Sequence, residues 1–112
     1  MPGDPERVSQ LFTFVYTGRV RESYRFDDQS YDRLAAAGIH WRAAMEILHT
    51  PSPRVRRHIG SVLHVAAETT DRQWLVVACI EEADDEYLVV SARELTEDEV
   101  AAVKAMIQGD LP

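Results

Sequence analysis

Glu86-Tyr87-Leu88-Val89-Val90-Ser91-Ala92-Arg93-Glu94-Leu95-Thr96-Glu97-Asp98-Glu99 is the stretch whose reading decides the fold. Its aromatic and β-branched start reads as a strand, Glu86 to Ala92. Its end reads as a helix start, because Thr96 and Glu99 have the spacing of a capping box: the hydroxyl accepts the third backbone N–H and the carboxylate accepts the N–H of the cap. Val100, Val103, Met106 and Ile107 then give the buried stripe of a helix that Gly109 ends. A strand therefore hands its Ser-Ala-Arg end directly to a capped helix.

Working backward, Glu81 to Asp85 is an acidic turn, and Gln73 to Ile80 is apolar on both faces, as in a central strand shielded on both sides. Arg54 to Ala67 alternates as one strand, with Gly60 predicting a bulge that bends it. Connections this short predict antiparallel pairing. Before them lie two short helices. Asp27 or Asp28 caps the first, whose stripe is Tyr31, Leu34 and Ala35 and whose end is Gly38; His40 caps the second, whose stripe is Trp41, Ala44, Met45 and Leu48, stopped by Pro51 and Pro53. Arg19 to Phe26 alternates as a half-buried strand. Residues 1–18, with two prolines and little periodicity, predict a flexible arm holding at most a short element at Val8 to Tyr16. The expected architecture is one α+β domain over 19–112: a small antiparallel sheet of about four strands, two short helices after the first strand, and a C-terminal helix.

The 112 residues suit one core. The lone Cys79 lies in the apolar central strand, where it acts as a small hydrophobe and suggests a reducing compartment. The start Met1 to Glu6 has no basic leader pattern and Leu11 to Tyr16 is too short to span a bilayer, so a soluble cytoplasmic protein with no membrane association is expected. The net charge of −7 argues against broad nonspecific nucleic-acid binding. It is unevenly distributed: Met1 to His64 carries nine arginines against seven carboxylates, whereas Val65 to Pro112 carries three basic and twelve acidic residues. The mildly basic first part leaves room for a local phosphate-binding face.

Parity in the expected strands places Arg54, Arg56, His58 and His64 on one face of one strand, and Tyr87, Val89, Ser91 and Arg93 on one face of another. If both faces coincide, they form an Arg/His/Tyr/Ser surface opposite the helices. Such a surface suits RNA cleavage without a metal: arginines hold the phosphate bidentately and stabilise its developing charge, and a histidine or tyrosine moves the proton of the ribose 2′-hydroxyl. The competing reading is an exposed strand face that is simply polar. The four histidines lack the close pairing of zinc motifs, and no phosphate-binding glycine loop or nucleophile elbow is present, so neither metal nor cofactor is expected. His49, at a helix C-terminus, is expected to favour imidazolium.

From Asp28 onward the chain resembles the BrnT-type toxins, ribonucleases of the RelE-like superfamily that pair with an antitoxin. The resemblance rests on Ala37-Gly38, Ile39-His40-Trp41-Arg42-Ala43-Ala44, Ile59-Gly60-Ser61, Trp74 to Ile80 and, above all, Val89-Val90-Ser91-Ala92-Arg93 followed by Glu99. It departs where the family usually has His-Gly at the first helix end, a basic residue opening the last strand, a basic or small residue at position 94, and a basic chain overall. The resemblance implies a RelE/BrnT-like fold, an RNA substrate, an antitoxin-like protein partner and phosphate contact by Arg93. Geometry alone adds Arg56, His58 and His64 for positioning and proton transfer, and Arg54, Ser91 and Tyr87 for anion binding. Two alternatives stay open, a non-catalytic protein-interaction module and a small anionic-ligand-binding domain. A homodimer stays open with them.

Overall fold

An apolar run hydrophobic on both faces belongs at the centre of a sheet, and Trp74–Ala83 sits there as β5. The computed structural model describes residues 13–16, 22–50 and 53–109. Within them the remaining elements are β1 (Thr13–Tyr16), β2 (Ser23–Arg25), α1 (Asp28–Ala36), α2 (Trp41–His49), β3 (Arg54–Ile59), β4 (Val62–Glu68), β6 (Glu86–Glu94) and α3 (Glu97–Gln108). The expected α+β class holds. The expected N-terminal arm contains β1, and the rest of residues 1–18 lies outside the described residues, as does the opening of the strand expected at Arg19.

The sheet has six strands in the order β1-β3-β4-β5-β6-β2, against the expected four or so. β3 to β6 form the antiparallel meander that short connections dictate. β2 pairs with β6 in parallel, so the sheet is mixed. The two helices carry the chain across one face, α1 packing on β6 and α2 on β4 and β5, and deliver it to β3 on the far side.

The expected bent strand from Arg54 to Ala67 is a hairpin. Ile59 pairs with Val62, leaving Gly60-Ser61 as a two-residue turn with Gly60 at φ 61°, a left-handed conformation that glycine adopts without steric cost. The bulge lies elsewhere. On β6, Val89 opposes Cys79 and Ser91 opposes Ala78, so Val90 is the extra residue. The acidic turn is also shorter than expected, since β5 and β6 reach Ala83 and Glu86 and leave only Asp84-Asp85 between them.

Asp27 caps α1 by accepting the Ser30 N–H at 2.8 Å, and Ser30 Oγ accepts the Asp27 N–H at 3.0 Å. The buried Ser30 hydroxyl also donates to the Val89 carbonyl at 2.5 Å, tying the first turn of α1 to β6 beside the bulge. His40 caps α2, its Nδ1 accepting the Arg42 N–H at 3.1 Å. The core lies between these helices and the sheet: Leu34, Ala44, Ile47 and Leu48 against Leu63, Val65, Leu75, Val77, Cys79 and Val89. Tyr31 and Trp41, expected in the helix stripes, are instead 43% and 38% exposed; they pack edge to face at 6.2 Å on the outside. Ser30 and Ile47 hold inward positions in their place. Burial raises the Cys79 thiol to about 12 and leaves it a packing group.

α3 covers one end of the opposite sheet face, where Val103, Met106 and Ile107 pack with Val55, Ala66, Trp74 and Val76. Its capping box is formed, and Gly109 closes it at φ 74°. No helix among the described residues is long and apolar enough to cross a membrane.

Candidate functional site

In an antiparallel pair, residues directly opposite each other point to the same face, so the register assigns every candidate. Arg54 lies two residues from Arg56, which opposes Val65; His58 opposes Leu63; Tyr87 opposes Glu81 and joins the same core. These four therefore lie on the face covered by α1 and α2. His64 opposes Arg57 and Ala78, Ser91 opposes Ala78, and Arg93 opposes Val76. These three lie on the α3 face. The expectation that Arg54, Arg56, His58 and His64 share a face fails because the hairpin turn at Gly60-Ser61 inverts parity beyond it. The expectation that Tyr87, Val89, Ser91 and Arg93 share one fails because Val90 is bulged.

On the α1/α2 face, Arg54 and Arg56 are buried, at 2% and 6% exposure. Arg54 donates to the Thr50 carbonyl at 2.6 Å, and Arg56 meets the Glu22 carboxylate at 2.5 Å. Burial pushes the Glu22 carboxyl up, but a hydrogen bond from its own backbone and the Arg56 charge outweigh it and hold Glu22 below its ordinary range. Tyr24 stacks on Tyr87 at 5.5 Å and meets His49 edge-on at 5.3 Å. Desolvation and then the Arg54 charge pull His49 down, so the imidazolium expected from the helix dipole is disfavoured. Buried arginines held by a carbonyl and a carboxylate brace this corner of the fold.

The α3 face presents a graded surface. Val55, Ala66, Val76 and Arg93 form one row across β3 to β6, and Arg57, His64, Ala78 and Ser91 form the next. Neighbouring strands lie about 4.8 Å apart, so the small Ala78 leaves open space between His64 and Ser91. Two adjoining cavities occupy the region. One, about 340 Å³, lies over Ala78 and is lined by His64, Ser91 and Arg93; the other, about 370 Å³, runs between the sheet and α3. They share His64, Val76 and Arg93.

The electrostatics are set by two arginines, a histidine and one carboxylate. Desolvation first, then the charges of Arg57 and Arg93, lower the pKa of His64, which keeps its imidazole neutral near pH 7. Its Nδ1 is buried without a hydrogen-bond partner among the described residues. Arg93 is bound bidentately by Glu99, with Nη1–Oε1 and Nη2–Oε2 both 2.7 Å. That pair, with the Thr96 N–H, depresses the Glu99 carboxyl to about 2.

Two groups of this surface escaped the sequence reading. Arg57 was not singled out, because strict alternation from Arg54 gives it the parity of Val55 and Ile59; Gly60-Ser61 between two alternating runs is itself a hairpin signal that separates it from the later strand. Glu99 was recognised as a cap, and its second role needs the sheet and α3 to meet. Among the described residues, no group of three His, Cys, Asp or Glu side chains is placed to hold a metal ion. Compared with models of protein families, with curated proteins and with solved structures, the chain matches none.

Proposed function

We propose that this chain is a RelE/BrnT-like toxin-fold protein that binds RNA phosphate on the α3 face of its sheet and cleaves it as a metal-independent ribonuclease, restrained by an antitoxin-like partner. The observation that carries the reading is the row Arg57, His64, Ala78, Ser91 with Arg93 beside it. A neutral His64 accepts the proton of the ribose 2′-hydroxyl as that oxygen attacks phosphorus. The bond to the 5′-oxygen breaks, the leaving oxygen takes a proton from the imidazolium or water, and a 2′,3′-cyclic phosphate remains. Arg57 and Arg93 stabilise the extra negative charge of the transition state, and the Ser91 hydroxyl donates to a phosphate oxygen. Arg54, Arg56, His58 and Tyr87 belong to the opposite face and act on stability.

The test is an RNA-cleavage assay on the wild type beside His64→Ala and Arg93→Ala, with thermal unfolding of all three. Loss of cleavage by about 10²-fold or more in folded His64→Ala supports the reading. No cleavage by folded wild type overturns it. That outcome would favour the second reading, a non-catalytic domain that binds a small anion or a protein, for which the closure of the Arg93 fork by Glu99 and the acidic first turn of α3 speak.

A further inference from the structure

The larger cavity has two unlike halves. Its polar part carries Arg57, His64 and Arg93, the last paired with Glu99, which also lines it, and its apolar part is lined by Val55, Val103 and Met106, with Ala102 also contributing to the α3 wall. Phosphate recognition uses only the polar part. An apolar hollow contiguous with a polar part of this kind fits a ligand with an anionic group joined to a flat, weakly polar body, and pockets of this size and lining commonly hold small organic ligands. The flexible Met106 thioether makes favourable contacts with aromatic rings. The half-open shape over a sheet also lets a continuing chain leave past Ala78 and Ser91 through the second cavity, which shares His64 and Arg93 with the first.

We propose that the hollow between the sheet and α3 is a nucleobase seat: a single-stranded RNA places the phosphate at Arg57, His64 and Arg93 and inserts the adjoining base beneath α3. This rests on the phosphate-binding reading above and specifies its substrate as unpaired RNA, since a base within a duplex cannot leave its stack to enter the hollow without unpairing. Ala102 is exposed and lines the cavity, whereas Ala101 is exposed and does not, so a bulky side chain at 102 obstructs the seat and one at 101 is a matched control.

The test is calorimetric titration of the full chain with adenosine 3′-monophosphate, ribose 5-phosphate and inorganic phosphate, on the wild type, Ala102→Phe and Ala101→Phe. The seat predicts that the wild type and Ala101→Phe bind the nucleotide at least about tenfold more tightly than ribose 5-phosphate, as burial of the base against apolar side chains should allow, and that Ala102→Phe loses this advantage. Equal affinity for nucleotide and sugar phosphate overturns the seat while leaving the phosphate site standing. A nucleotide advantage that survives Ala102→Phe overturns its location under α3. Failure of all three ligands to bind the wild type overturns both the seat and the phosphate reading beneath it.

Discussion

Arg93, at the end of β6, and Glu99, in the first turn of α3, form a two-pronged ion pair with both N–O distances at 2.7 Å, and the same Glu99 oxygen Oε1 accepts the Thr96 N–H at 2.9 Å. One carboxylate thus caps a helix and closes the guanidinium fork that the proposed phosphate contact would need. Glu99→Gln should open the fork. Affinity for a phosphate ligand should rise, read by the same titration, and unchanged or weaker binding would refute competition between Glu99 and ligand. Thr96→Ala, which removes only the hydroxyl cap, should cost about 1 kcal/mol in chemical denaturation without raising phosphate affinity.

The same carboxylate makes a statement about acid stability. Its folded pKa of about 2 lies below its unfolded value near 4.5, so its contribution is present above pH 4.5 and is lost as pH falls toward 2. Glu82, held down by its hydrogen bond to Arg25, and Asp27, held down by the Ser30 N–H, act in the same direction. Denaturation midpoints measured from pH 6 to pH 2 should fall for the wild type and fall less for Glu99→Gln. Parallel curves would show that Glu99 is not among the groups responsible.

If His64 is the base, the acidic limb of the pH profile of kcat/KM should have its midpoint below the ordinary histidine value of 6.5, because desolvation and the neighbouring arginines lower its pKa. A profile still climbing above pH 7.5 would assign the base to another group.

In the Arg56–Glu22 pair the guanidinium is buried and the carboxylate largely so, with side-chain exposures of 7% and 13%. Glu22→Gln removes the carboxylate that Arg56 meets and should destabilise by about 3 kcal/mol, whereas replacing both residues by apolar ones of similar volume should recover much of the loss. A Glu22→Gln cost below about 1 kcal/mol would place this pair with ordinary surface ion pairs.

Cys79, raised to about 12 by burial, should be inert in the native state. Its alkylation at pH 8 should proceed only at the rate of unfolding and become fast in denaturant; rapid reaction of the native protein would mean that β5 is accessible.

Much of the architecture is local and was legible. The Thr96-x-x-Glu99 box, the Asp27 and His40 caps, and the doubly apolar Trp74 to Ile80 run fix where helices and the central strand form, because capping and hydrophobic period act over a few residues. The candidate site was less legible because facing depends on parity. A strand's side chains alternate with a period of two, so one misplaced residue moves a whole set to the other side. Reading Gly60 as a bulge rather than the start of a two-residue turn put His64 with Arg54, Arg56 and His58; missing the extra residue at Val90 put Ser91 and Arg93 with Tyr87.

The sequence alone therefore determined the three helices, the central and last strands, and the residue types available for anion chemistry, while it merged β3 and β4 into one strand. Tertiary structure decided that β2 closes the sheet in parallel beside β6, that Arg54 and Arg56 are buried while Arg57, His64, Ser91 and Arg93 share the α3 face, and that Glu99 reaches Arg93. The reason is physical: caps and periodicity are satisfied within a few residues, whereas register, bulge position and cross-element ion pairs are settled only when distant segments bury their apolar faces together.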